Sequence, residues 1–169
     1  MTIIETERLT LRLQTTDDAS FILELMNEPS WLEFIGDRGV RTVGDAREYI
    51  VNGAIRTYEQ FGFCFYLVER KEDKSPIGIC GFVKRESLED VDIGFAFLPK
   101  YWGKGYAYEA ASATLAYGLG TLGLNRIVAI TTQENHASAK LLEKIGLKFE
   151  RVVHFSNDAE ELRLFSLDK

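Results

Sequence analysis

The chain has 169 residues, 46% of them hydrophobic, enough for one domain that buries roughly 70% of its unfolded surface without disulfides or metals. Twenty basic residues against 26 acidic ones leave a formal charge of −6, which argues against a nucleic-acid binder and suits a cationic substrate or plain solubility. Charges within the first eight residues, and the lack of any apolar run near the ~18 residues a span needs, leave neither a signal peptide nor a membrane segment to expect. Cys64 and Cys80 sit in apolar, strand-like runs, so they read as two buried reduced thiols, with no metal site, and point to the cytoplasm.

In chain order, residues 8–14 alternate, Leu9, Leu11 and Leu13 against Arg8, Thr10 and Arg12, as a strand with one buried face does. Thr16, Asp17 and Asp18 open a helix with the stripe Phe21, Ile22, Leu25 and Met26, and Pro29 is expected to stop it. Residues 30–43 read as a loop able to cover a pocket. A second helix is expected from Asp45, with Glu48 three places on as in a capping box. Its stripe is Ala46, Tyr49, Ile50, Ala54 and Tyr58, and Gly62 ends it. Residues 63–69 and 77–85 pair as strands, and a third follows at 91–98 to complete an antiparallel meander. A long helix follows from Ala107. Residues 126–132 form a further strand, parallel to the one before the helix because a crossover intervenes. Asn135 caps a short helix that Gly146 ends. Two last strands carry Leu147, Phe149 and Val153, then Leu162 and Leu164, joined through Ser156–Ala159.

The junction of the third meander strand with the long helix is the most informative stretch. Pro99 must end the strand because it has no amide to give a ladder. Between strand and helix lies Trp102-Gly103-Lys104-Gly105-Tyr106-Ala107. Two glycines allow a tight turn whose amides converge on one point. That point is the first turn of a helix, where free N–H groups and the dipole favour an anion. Lys104 adds positive charge, so a phosphate or diphosphate is the natural occupant; a βα turn that needs small residues only for packing is the plainer account. Tyr108 stands where a dinucleotide fingerprint needs its third glycine, and the Gly-Lys-Ser/Thr ending of a Walker loop is missing.

This run resembles the acetyl-CoA-binding motif of the GNAT superfamily of N-acetyltransferases, with Trp102, Gly105 and Ala107 in its three key places and Trp102 departing from the usual Gln or Arg. Trp-Gly-Lys-Gly-Tyr-Ala before Glu109-Ala110, the opening Thr6–Arg12 and the stretch from Asn135 to Leu147 are similar to the ribosomal-protein (RimJ/RimL-like) branch. The resemblance implies a GNAT fold over residues 1–169: a mixed, mostly antiparallel sheet of about seven strands with about four helices, an α+β arrangement. Its central strands splay to hold acetyl-CoA. The coenzyme's amides would pair with backbone near Phe97 and Leu98, and its diphosphate would meet residues 102–107. An amide left free at a bulge near Gly94–Ala96 would polarise the thioester.

The same resemblance implies direct transfer of the acetyl group to a primary amine, most fittingly a peptide or protein N-terminal α-amine. A polyamine, aminoglycoside or amino-acid-like amine is the alternative, and a non-catalytic acyl-CoA-binding module the alternative of another class. A monomer or homodimer is expected, with no nucleic-acid or membrane partner. Asp92 stands where related sequences carry a glutamate and is the candidate base, with an exposed strand Asp as the plainer account; His136 and His154 are further titratable residues. Many GNAT members carry a tyrosine acid where this chain has Leu142. Ser138 remains as a group near the thiol, Asn135 as a coenzyme contact, and Trp31, Phe34 and Tyr58 as residues of the acceptor side.

Overall fold

The computed structural model describes residues 1–154 and 160–169; the connection expected at Ser156–Ala159 lies outside the described residues. One sheet runs through the molecule in the order β1-β2-β3-β4-β5-β6-β8-β7. Its strands are β1 (Thr2–Glu5), β2 (Leu9–Arg12), β3 (Phe65–Arg70), β4 (Pro76–Val83), β5 (Val91–Phe97), β6 (Arg126–Thr132), β7 (Lys148–Val153) and β8 (Leu162–Asp168). Among the described residues that is eight strands, where about seven were expected. The addition is β1, whose four residues are too few to show alternation; it adds antiparallel to β2. In β2 the period of two is plain, with Leu9 and Leu11 fully buried and Thr10 and Arg12 half-buried between them. The β3-β4-β5 meander is antiparallel as read, and β5 meets β6 in parallel. Cys64 and Cys80 are buried free thiols, and burial pushes both up to about 12.

The α-helices among the described residues are α1 (Ala19–Met26), α2 (Pro29–Phe34), α3 (Val43–Ile50), α4 (Arg56–Phe61), α5 (Tyr106–Gly120) and α6 (His136–Ile145), six against about four expected. Pro29 does not end helical structure: it sits at the first position of α2, where a missing amide costs nothing. The capping box of α3 also lies three residues earlier than expected, with Thr42 as cap and Asp45 reaching back to it. A π-helical turn, Val51–Ile55, joins α3 to α4, and Gly62 (φ 80°) closes the run. The widened turn splits the expected stripe. Ala46 and Ile50 pack with Trp31, Leu67, Ile79 and Leu98, whereas Ala54 and Tyr58 pack with Tyr66, Cys80 and α5, and Tyr49 is exposed.

Alternation along the strands therefore separates two layers. Helices α1 to α3 cover one face of the sheet, through Leu67, Ile79 and Leu98. Helices α5 and α6 cover the other, through Tyr66, Phe82, Ile93, Phe97 and Phe165. Helix α5 comes close to the sheet at Gly118, where a Cβ would stand 2.5 Å from the Phe82 ring. Among the described residues, no helix is long and apolar enough to cross a membrane.

Candidate active site

The turn ahead of α5 has the backbone its glycines foretold. Gly103 (φ 76°) and Gly105 (φ 81°) are both left-handed, and Gly105 is the residue from which α5 starts. The amides of Tyr106, Ala107 and Tyr108 have no backbone acceptor among the described residues; the first bond of the helix is Glu109 N–H to Gly105 O, 3.0 Å. Lys104 is exposed beside them. The turn is braced from the far end of the sequence. Glu109 accepts from the Thr6 hydroxyl (2.5 Å), the Arg8 amide (2.9 Å) and Arg8 Nε (2.7 Å), while Arg8 Nη1 donates to the Lys104 carbonyl (3.0 Å). Arg8 also lies over the Tyr106 ring, 4.4 Å from its centre. This clamp gives the Thr6–Arg12 opening a physical role.

Next to the turn the sheet opens. Strands β5 and β6 pair only at Val91–Ile127 and Asp92–Val128; beyond Asp92 they diverge. The register of β5 with β4 is unbroken from Asp92 to Phe97, so the expected bulge at Gly94–Ala96 is absent, and divergence of β6 is what frees backbone groups here. Leu98 N–H donates to Ile77 O (3.0 Å). Strict alternation then turns the backbone groups of Phe95 and Phe97 toward the gap. Leu98 is a correction: its amide goes to β4 and its carbonyl accepts from Tyr101, and Phe95 takes its place along the gap. The Phe97 carbonyl accepts from the indole N–H of Trp102 (2.9 Å), whose ring is more than half exposed. The gap, the two left-handed glycines and the free first-turn amides fit a ligand with amides along its length and a diphosphate at one end.

At the closed end of the gap sits Asp92, 2% exposed, which overturns the exposed-strand account. Its Oδ2 accepts from Arg85 Nε at 2.6 Å. Burial pushes the carboxyl up to about 6, against the downward pull of Arg85. A carboxylate so poised is ionised at neutral pH yet able to take a proton. Across the gap, Asn135 caps α6 by accepting from the Ser138 amide (3.2 Å). Ser138 lies half-buried in the first turn.

A profile described as "Acetyltransferase (GNAT) domain" matches residues 8–148. The chain belongs to the GNAT acetyltransferase family. Over 152 residues it is 32% identical to the uncharacterized N-acetyltransferase YoaA of Bacillus subtilis, covering 89% of this chain and 85% of that one. It is 31% identical to the ribosomal protein uS5-alanine N-acetyltransferase of Escherichia coli over 101 residues, 58% of this chain and 52% of that one. A solved GNAT-family acetyltransferase from Bacillus anthracis is similar at a TM-score of 0.82 and 28% identity, over 99% of this chain and 98% of that one. The protein is thus an acyltransferase, and GNAT acetyltransferases use acetyl-CoA.

Within this GNAT enzyme the other candidates are scattered. Trp31 is buried among α1, α3 and the sheet, and its indole N–H has no hydrogen-bond partner among the described residues. Phe34 is half-buried on α2. Tyr58 packs on the opposite layer, beside α5, so the three aromatics do not form one wall. His136 and His154 are exposed. Leu142 is buried among Phe82, Ile127 and Phe165. Sequence reasoning missed Arg85 and the Thr6–Arg8–Glu109 clamp. Both are side-chain pairs without a spacing signal, although the Thr6–Arg12 run itself was visible.

Proposed function

We propose that this enzyme transfers the acetyl group of acetyl-CoA directly to the α-amine of a peptide or protein N-terminus. One observation carries this: the gap between β5 and β6 begins at a buried carboxylate and runs toward a helix start with free amides. When bound, acetyl-CoA supplies an acetyl group activated as a thioester. The backbone of Phe95 and Phe97 would pair with its amides, at about 0.5–1.5 kcal/mol net for each neutral bond. Residues 102–107 would hold the diphosphate: the Gly103, Lys104, Gly105, Tyr106 and Ala107 amides through charge-assisted bonds roughly twice as strong, Lys104 by its charge, and Trp102 by fixing the Phe97 carbonyl. Asn135 and Ser138 would close the thiol end.

Asp92 then takes the proton of the attacking amine. The Ser138 hydroxyl and the positive end of α6 stabilise the departing sulfur, since Leu142 offers no phenol. Such modest acid–base equipment matches a low-pKa amine. A lysine amine at pKa about 10.4 costs roughly 4 kcal/mol to deprotonate at pH 7.5, whereas an α-amine at about 7.7–8.0 costs under about 1 kcal/mol. The likeness to an alanine N-acetyltransferase of a ribosomal protein supports the same acceptor class. Trp31 and Phe34, on the layer that Asp92 shares, are the acceptor-side residues of this reading, and Tyr58 is left out of it.

Thiol release from acetyl-CoA, measured against N-terminal peptides, polyamines and aminoglycosides, tests the proposal. Peptides beginning with small residues are expected to be turned over fastest. Turnover of polyamines or aminoglycosides alone would move the acceptor to small cationic amines, which the net charge of −6 favours.

A further inference from the structure

The mechanism above leaves Arg85 unused, yet among the described residues it is the one charged group that acts on Asp92. Arg85 lies just past the end of β4, two residues beyond Val83, the β4 residue that faces Asp92. The loop that carries it is folded back on itself: Lys84 Nζ donates to the Arg85 and Leu88 carbonyls, and Leu88 is buried against Val128, Val153, Leu162 and Leu164. The Arg85 side chain is one-third exposed, while that of Asp92 is 3% exposed. A single bond, Nε to Oδ2, joins them. The second carboxylate oxygen, Oδ1, has no hydrogen bond among the described residues.

We propose that Arg85 is the positioning residue of the catalytic carboxylate: by binding only Oδ2 it keeps Asp92 charged and aimed, with Oδ1 left for the acceptor amine. This rests on Asp92 being the base. Without Arg85, a carboxylate this deeply buried would go over to its neutral acid form at neutral pH. Among the described residues no other charge substitutes. The strand neighbours Val83 and Val128 are apolar, the Lys84 ammonium is turned onto carbonyls, Asp90 is paired with Arg126, and Arg126 is shared with Glu150 and Asp168. Among the described residues no titratable group of a helix acts on Asp92.

The test is the pH profile of kcat/KM for a peptide α-amine. In the parent enzyme two protons must be lost, from Asp92 near pH 6 and from the amine at about 7.7–8.0. The logarithmic plot should therefore rise with slope two below the first break and slope one between them. In Arg85→Gln the Asp92 break moves upward by roughly 1–3 pH units, to meet or pass that of the amine, as expected for a carboxylate that loses an adjacent guanidinium, and kcat at pH 7 falls more than KM rises. Arg85→Lys, which keeps the charge and is the milder variant for folding, returns part of the way. A lower break unmoved in both variants overturns the proposal. Failure of the underlying reading looks different: Asp92→Asn would then keep both its lower break and its rate.

Discussion

The two ends of the gap between β5 and β6 are made of different materials. At the proposed coenzyme end, Gly103, Gly105 and the first-turn amides of α5 offer backbone, and the side chains there serve mainly to brace it. At the other end stands a buried carboxylate, the base of the proposed mechanism, whose role there would rest on its environment, with Arg85 at 2.6 Å. A backbone site tolerates side-chain change as long as the chain path holds. A side-chain site fails at once when its one group is altered, and leaves binding at the other end intact. Substitutions should separate the two accordingly.

The largest effect is expected for Asp92→Asn, which removes the proposed base without changing its shape. The turnover rate should fall about 10²–10⁴-fold, while calorimetric affinity for CoA stays at the parent value. A matching loss of CoA affinity would erase the distinction between the two ends.

Glu109→Gln is the intermediate case, because it loosens the brace and leaves the glycines. It weakens three hydrogen bonds from Thr6 and Arg8, at a cost of about 1–3 kcal/mol, equivalent to several degrees in melting temperature for a chain of this size. Burial alone would raise the Glu109 carboxyl, but those bonds outweigh it and hold it below its ordinary value. A depressed carboxylate stabilises the fold above its unfolded pKa of about 4.3 and loses that contribution as pH falls through the folded value. The melting difference between parent and variant should thus be full at pH 7 and disappear in acid. A difference independent of pH would show that Glu109 acts by packing alone.

The smallest effect is expected for Asn135→Ala, at the helix facing the gap. Loss of the cap to the Ser138 amide should cost about 0.5–2 kcal/mol of stability and a few-fold in rate. A loss of rate as large as that of Asp92→Asn would make Asn135 part of the chemistry.

The same division explains what could be read from the sequence. The glycine turn was legible because a left-handed backbone leaves a local mark, and so was the parallel β5–β6 crossing, since parallel neighbours need a crossover and α5 supplies one. The family motif added the gap itself. The burial of Asp92 was not legible, because whether a strand aspartate faces solvent depends on the loop folded over it, and here Lys84 and Leu88 set that loop. Glu109 and Arg8 are 101 positions apart and only the finished fold brings them together. Pro29 misled for a related reason: proline forbids a helix interior and favours a helix start, and nothing local chooses between them. The β5 bulge was expected from family likeness, whereas Gly94 lies in regular register with Gly81.

The central claim is that backbone amides gathered by two left-handed glycines hold the coenzyme diphosphate. Calorimetric titration of CoA into the parent and Gly105→Val tests it most directly. A β-branched residue at φ 81° is strained by roughly 1–2 kcal/mol or more, and its Cβ would also press on Arg8, 3.3 Å away. Affinity should fall at least about tenfold while the circular dichroism spectrum stays that of the parent. Undiminished binding in the variant, or no binding by the parent, would contradict the account.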